Sequence, residues 1–516
     1  MLKVGMGGRR MRRWAGAIVA LEFVLGADAS ALQQAPKGGA GAPAFVEQSC
    51  TAVFGTFEHA KPSNARCGTV TVPQNRATPK DPRLVGVVLP VIVLEMPGAT
   101  GTPLLFLAGG PGESSIEAVQ EVFLETSIGQ LLMRQRPIIA FDRRGLSSPL
   151  GRTSPDLGLL VSGGRSKTPS VITSSIDSAK DASKRLRAQG VELKNFSTPE
   201  AIDDIRDVSK SLGFEKLVLF GVSYGTRDAL QFMRRHPTMV ESAILDGVAP
   251  PQTTALFNLD SISASRRAVV RQVTAECAAD IACHGEYPNL AATFERLDRV
   301  GSPPLRITAN LPQAGGWRTV DLDPSSLLST IGGVAGSEQI RAIIPQLLED
   351  FASGDTLRRP LSPEVVMAAA LDSALRLRGG RRMPVVYHVT VCSDIPGGSS
   401  ERGGRAFCDA LGVPFSGPDA ITPVVSNTPV LLISSGYDSQ TPPSMAAQAA
   451  RTLSRSHQVN FRMVGHIAFR YPTTMACAAV VISSFMAQPD RDPATSCVDT
   501  VRPSFLPRRV DLPLSP

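Results

Sequence analysis

Aromatic residues make up only 5% of the chain. That is too few to offer a stacking surface to single-stranded nucleic acid. No C-x-x-C pair occurs anywhere. Structural zinc sites usually need that close pairing, and Cys283-His284 near Cys277 does not replace it, so no metal and no other cofactor is implied. Long apolar runs are missing too. The best candidate for a membrane span, residues 14–26, is short and broken by Glu22, which argues against a stable membrane anchor. There is no internal repeat. The formal charge of +7 is a mild excess over 516 residues. It gathers into no basic stripe, which argues against nucleic acid as a partner.

The chain does have size: 43% of its residues are hydrophobic and 19% charged, the balance of a large globular protein. Lys3, Arg9, Arg10, Arg12 and Arg13 precede the apolar stretch, and Ala27-Asp28-Ala29 follows it. A basic start, a short apolar middle and an Ala-x-Ala site describe a secretory signal peptide over residues 1–29 and place the protein in the periplasm or outside the cell. Its removal would leave a net charge of about +4. Residues 30–49, small and Gly/Pro-rich, read as a linker, with structure beginning near Cys50. Eight cysteines in an exported chain suggest disulfides. They fall as sequence neighbours, and we expect Cys50–Cys67, Cys277–Cys283, Cys392–Cys408 and Cys477–Cys497.

Residues 85–94, 102–108 and 137–141 are continuous apolar runs, as in strands buried on both faces of a parallel sheet. Ser197-Thr198-Pro199-Glu200 is a helix start, and Ala201, Ile205, Val208 and Leu212 mark one helical face. Strands are expected at 216–220 and 242–246, with a helix over 226–236 between them. This alternation predicts an α/β fold. Residues 252–385 lack a strong strand run and read as mostly helical. The rhythm returns at 428–434 and 459–463. The expected organisation is a core of residues 50–250 and 426–502, a helical insertion over 251–425, and a loose tail over 503–516.

The strand at 216–220 ends in Gly221-Val222-Ser223-Tyr224-Gly225, and a helix follows. G-x-S-x-G alone is a weak signal, but strand, sharp turn and helix is the setting of a nucleophile elbow. A serine hydroxyl needs a base. Of the six histidines, His466 lies in a loop just past the last strand, where an α/β sheet places reactive groups. The base needs an acid to hold its tautomer. Asp438, after the 428–434 strand, gives the order Ser-Asp-His of an α/β-hydrolase triad. Asp246, also at a strand end, is the rival. Gly109-Gly110-Pro111-Gly112 follows an early strand, and Gly110 and Tyr224 are the expected backbone donors of an oxyanion hole.

Together, LFLAGGPG, IIAFDRRG, LFGVSYGTRDALQFMRRHP, AILDGVAPP, TPVLLISSGYDSQTPP and VGHIA resemble the secreted tripeptidyl aminopeptidases, which stand with the proline iminopeptidases among the α/β-hydrolases. The resemblance implies an α/β-hydrolase core with a mostly parallel sheet and a helical cap inserted after Asp246. It also implies a serine exopeptidase acting on peptides with free N-termini, with Ser223, Asp438 and His466 as its triad. Three positions depart from the pattern. Ala108 stands where relatives carry His, Arg144-Gly145-Leu146-Ser147-Ser148 lacks a second glycine, and Asp228 replaces an apolar residue behind the nucleophile. In relatives, cap carboxylates read the substrate ammonium; acids such as Glu276, Asp280 and Glu286 occur here, and nothing in the sequence selects among them. An esterase using the same triad, or a binding protein on a hydrolase scaffold, are the alternatives.

Overall fold

The computed structural model describes residues 43–54, 65–124, 126–146, 160–162, 169–311, 316–353, 382–398, 404–498, 500 and 504–505. The signal segment of the sequence reading lies outside these residues, as does the tail apart from 504–505. Within that tail Phe505 packs against a hydrophobic cluster.

The described strands are β1 (Phe45–Gln48), β2 (Ala65–Val72), β3 (Val87–Leu94), β4 (Leu104–Leu107), β5 (Ile138–Phe141), β6 (Leu160–Ser162), β7 (Leu217–Val222), β8 (Val240–Asp246), β9 (Leu305–Leu311), β10 (Gly316–Leu322), β11 (Arg382–Pro384), β12 (Val430–Ser435) and β13 (Ser456–Phe461). Nine form one sheet in the order β1-β2-β3-β5-β4-β7-β8-β12-β13. Pairing is antiparallel from β1 through β3 to β5 and parallel from β5 to β13. The central strands β4, β5, β7 and β12 are buried along their whole length. Their side chains divide by the two-residue period of a strand. On β7, Leu217 and Leu219 enter the cluster on one face, and Val218, Phe220 and Val222 enter the cluster on the other. Helices cover both faces, so these strands read as unbroken apolar runs.

Two expectations need correction. Structure begins before Cys50, because Phe45–Gln48 pairs with Val70–Cys67 as an edge strand. FVEQ has little strand character of its own. The partner strand supplies it, at Gly68, where an added Cβ would lie 2.3 Å from the Val46 carbonyl oxygen. The insertion is also not free of strands, since β9 and β10 form an antiparallel hairpin. LRITANL and GWRTVDL escaped notice because neither is a continuous apolar run.

Helices Leu259–Ala279, Leu290–Asp298, Pro324–Val334 and Glu338–Ser353 contribute to a third cluster, which also takes in Tyr437 and Met463. Helix Val385–Asp394 is buried on every side, and Val385, Val389 and Cys392 join the sheet's own cluster. Within the expected 251–425 insertion, packing therefore divides between a separate helical core and the sheet. The four disulfides are 50–67, 277–283, 392–408 and 477–497.

Candidate active site

The turn after β7 is set by what its glycines lack. A Cβ on Gly221 would lie 2.6 Å from the Gly225 carbonyl oxygen, and one on Gly225 would lie 2.1 Å from that of Leu107. Only glycine lets the helix Tyr224–Arg235 start this close beneath β4 and β7. Ser223 is driven to φ 54° and ψ −124°. A non-glycine residue there costs about 1–3 kcal/mol, held by the surrounding structure. The Ser223 N–H donates to the Asp246 carbonyl at 2.9 Å, and Thr226 Oγ1 donates to the Ser223 carbonyl at 2.6 Å.

Two loops at the carboxyl ends of β12 and β13 bring the expected acid and base together. Asp438 Oδ2 lies 2.8 Å from His466 Nδ1. The same carboxylate accepts the N–H groups of Gln440 and Thr441 at 2.8 and 2.9 Å and the Thr441 hydroxyl at 2.7 Å. Thr441 Oγ1 is also 3.1 Å from His466 Nδ1, so it bridges acid and base. The sequence reading missed Thr441. Its signal was the spacing Asp-x-x-Thr, a turn that folds the hydroxyl back on the carboxylate.

Asp246 does other work. Its carboxylate accepts the N–H groups of Ala468 and Phe469 at 3.2 and 3.4 Å, bracing the loop that carries His466. Behind it, Gly247 leaves room for the imidazole, since a Cβ there would lie 3.1 Å from His466 Cε1. Asp246 is therefore hydrogen-bonded to both segments, accepting from Ser223 with its backbone and from the histidine loop with its side chain. Ser223 Oγ makes no hydrogen bond to another described side chain. A resting hydroxyl can do this before substrate tightens the site.

Burial pushes the Asp246 carboxyl up to about 7 and that of Asp142 up to about 6. Burial opposes the charge on Asp438 as well. There the His466 charge and bond and the Thr441 donors outweigh it and hold the carboxyl below its ordinary value. Burial likewise opposes a charged His466, but Asp438 overrides it and raises the imidazole above its usual 6.5. A base must be neutral to accept a proton, so with His466 as the expected base, activity is expected to rise with pH through that raised value. The acid limb of a kcat/KM profile is expected above 6.5, and a limb at or below 6.5 would contradict the coupling of Asp438 to His466.

The loop of the expected oxyanion donor is fixed from both sides. Gly110 adopts φ 106° and Gly112 φ 99°. Ser114 Oγ donates to Asp142 Oδ1 at 2.8 Å, anchoring the helix Ser115–Val119. Gly109 faces Ser223 directly, its absent Cβ falling 3.3 Å from Ser223 Oγ. Tyr224, the other expected donor, is anchored by its ring. Its hydroxyl donates to Asp394 Oδ2 at 2.5 Å, and the Arg143 guanidinium lies 5.7 Å above the ring centre. Asp228 is not a bare charge behind the serine, because Arg143 Nη1 meets it at 2.5 Å. Arg227 pairs with Asp394 at 3.1 Å.

Of the insertion acids named from the sequence, two are engaged. Glu276 accepts from the Tyr437 hydroxyl and the Gln272 amide, and Asp280 caps the Cys283 N–H at 2.8 Å. Glu286 lies exposed at the end of its helix. The described residues hold no cluster of three or more His, Cys, Asp or Glu fit to bind a metal, and no helix among them is long and apolar enough to cross a membrane.

A mostly parallel sheet, a strained serine between β7 and a helix, and an Asp–His pair on later strand ends define an α/β-hydrolase. Residues 102–471 match the alpha/beta hydrolase fold family, and the chain belongs to it. It is similar to "Serine protease Hip1" of Mycobacterium tuberculosis (strain CDC 1551 / Oshkosh), 28% identical over 240 residues that cover 43% of each chain. It is also similar to "Tripeptidyl aminopeptidase" of Streptomyces coelicolor, 26% identical over 219 residues, 39% of this chain and 38% of that one. These matches span less than half the length of either relative. Among solved structures, proline iminopeptidase of Mycobacterium smegmatis covers 82% of this chain and 98% of its own, at 17% identity and a TM-score of 0.37.

Proposed function

We propose that this chain is an exported serine aminopeptidase that releases short peptides, tripeptides or Pro-containing ones, from free N-termini. The observation that carries the reading is the 2.8 Å pair of Asp438 and His466, braced by Asp246 beside a serine held at φ 54°. In this reading Ser223 Oγ attacks the scissile carbonyl carbon while His466 Nε2 takes its proton. Asp438 holds the Nδ1–H tautomer and steadies the imidazolium. The backbone N–H groups of Gly110 and Tyr224 receive the oxyanion. His466 returns the proton to the leaving amine, and water then attacks the acyl-enzyme by the same route. Chain segments between Asp246 and Val430 would wall the substrate in. Export is supported by the N-terminal pattern and by four disulfides, which persist in oxidising compartments.

The test compares the purified chain on a chromogenic tripeptide amide, on its N-acetylated form and on a short acyl ester. The expected result is cleavage of the free-amine peptide and at least about a tenfold loss on acetylation. Cleavage of the ester alone, or indifference to acetylation, would replace the peptidase reading with an esterase. Failure to cleave any of the three, together with failure to react with an organophosphonate, would leave a binding protein.

A further inference from the structure

Glu113 follows the Gly109–Gly112 loop directly. The point where a Cβ on Gly109 would sit is 3.2 Å from Glu113 Oε2 and 3.3 Å from Ser223 Oγ. The carboxylate oxygen and the hydroxyl therefore lie close together, on the side of Gly109 where a side chain would project. Three other carboxylates near the serine are engaged. Asp438 holds His466 and Thr441, Asp246 holds the loop after His466, and Asp228 holds Arg143. Glu113 is exposed and makes no side-chain hydrogen bond or ion pair among the described residues. It is also well placed by its backbone. Its N–H donates to the Gly109 carbonyl at 3.4 Å, and the next residue, Ser114, is tied to buried Asp142.

We infer that Glu113 is a specificity-determining residue that receives the substrate's α-ammonium, and that it sets the register of cleavage at the first peptide bond. The inference rests on the free-N-terminus part of the reading above and changes its product from a short peptide to a single residue. In an N-terminal residue, the amino nitrogen is two bonds from the scissile carbonyl carbon, about 2.5 Å away. A cation bonded to Glu113 stands beside Ser223, where that carbonyl must be. The ammonium of a departing tripeptide lies two residues further on, up to roughly 7 Å beyond this position when extended. A carboxylate this near the hydroxyl thus fits release of single residues better than release of tripeptides. In the acylation step the peptide C–N bond breaks, the Ser223 Oγ–C bond forms, and the serine proton leaves with the amine. Glu113 stays ionised throughout and touches only the ammonium.

The experiment uses the full chain and its Glu113→Gln and Glu113→Asp variants, with organophosphonate labelling of Ser223 to confirm an intact site in each. The substrates are an alanyl anilide, its des-amino analogue propionyl anilide, and an unlabelled pentapeptide whose first product is read by mass spectrometry. The wild type is expected to release one residue at a time. Glu113→Gln is expected to lower the ratio of kcat/KM on alanyl over propionyl anilide by at least about tenfold, mainly through KM. Glu113→Asp, which keeps the charge, is expected to recover part of that ratio. A tripeptide as first product overturns this inference and leaves the aminopeptidase reading standing, as does a ratio unchanged in Glu113→Gln. A wild type that does not distinguish alanyl from propionyl anilide, and leaves the pentapeptide uncut, overturns both.

Discussion

Ser223→Ala is expected to lower kcat by about three to six orders of magnitude while leaving KM within a few-fold. Removing Oγ takes away the atom that would form the acyl-enzyme, and two neighbouring hydroxyls are committed elsewhere. Thr226 Oγ1 is committed to the Ser223 carbonyl, and Thr441 Oγ1 lies between Asp438 and His466 on the acid side of the imidazole. A residual rate above that of water is expected, because backbone donors and bound geometry survive the change. Alanine at φ 54° keeps the strain but loses nothing that braces the turn, so thermal stability should change little. The checks are steady-state kinetics on the preferred peptide and the absence of a phosphonate adduct by intact-mass measurement. Retention of more than about 1% of kcat would remove Ser223 from the reaction.

Asp204→Ala is expected to cost about 3–5 kcal/mol of stability, the largest loss of any single replacement considered, without touching the site. Asp204 and Arg144 are both fully buried. Arg144 meets the two carboxylate oxygens with Nε at 2.6 Å and Nη2 at 2.5 Å, and Arg76 adds a third bond at 2.6 Å. Alanine would strand the Arg144 charge, whose remaining partners are mainly the carbonyls of Gln74 and Asn195. Arg76 would keep Asp207 and Glu200. The asymmetry gives a second check. Replacing the pair together, Arg144→Met with Asp204→Leu, should cost less than Asp204→Ala alone, since no buried charge is left unpaired. Urea denaturation of the three proteins measures both effects through the midpoint at constant slope.

The parts of this architecture legible in the sequence are the local ones. Strand β7, its glycine-flanked serine and the helix after it form a continuous stretch whose pattern states its own geometry. Asp438 and His466 could be picked out because each follows an apolar strand, where the sheet's carboxyl edge lies. The disulfides fell to sequence neighbours. What stayed hidden is set by partners far along the chain. The helix Thr198–Ser211 shows an apolar face, yet Asp203, Asp204 and Asp207 on its polar side are buried too. Arg76, Arg144 and Arg235 come from elsewhere to cover them. Asp228 reads as a misplaced charge until Arg143 is seen against it. Asp246 competes with Asp438 on sequence position alone, and separates from it once the bonds to Ala468 and Phe469 are drawn. Strand β1 has no pattern of its own, and its pairing with β2 depends on a glycine opposite.

The insertion between β8 and β12 also bears on how the chain folds. Ala243 pairs with Val430, and nearly two hundred residues separate them. However the chain is delivered, β8 can pair its outer edge only after the loop between these residues has closed. Until then that edge of the sheet has a row of unpaired amides and carbonyls beside Ala243, Ile244 and Leu245, side chains that are fully buried in the finished protein. An unpaired, apolar edge is what other chains add to. Completing the sheet is thus a race between closure of that long loop by β12 and encounters with other unfolded chains.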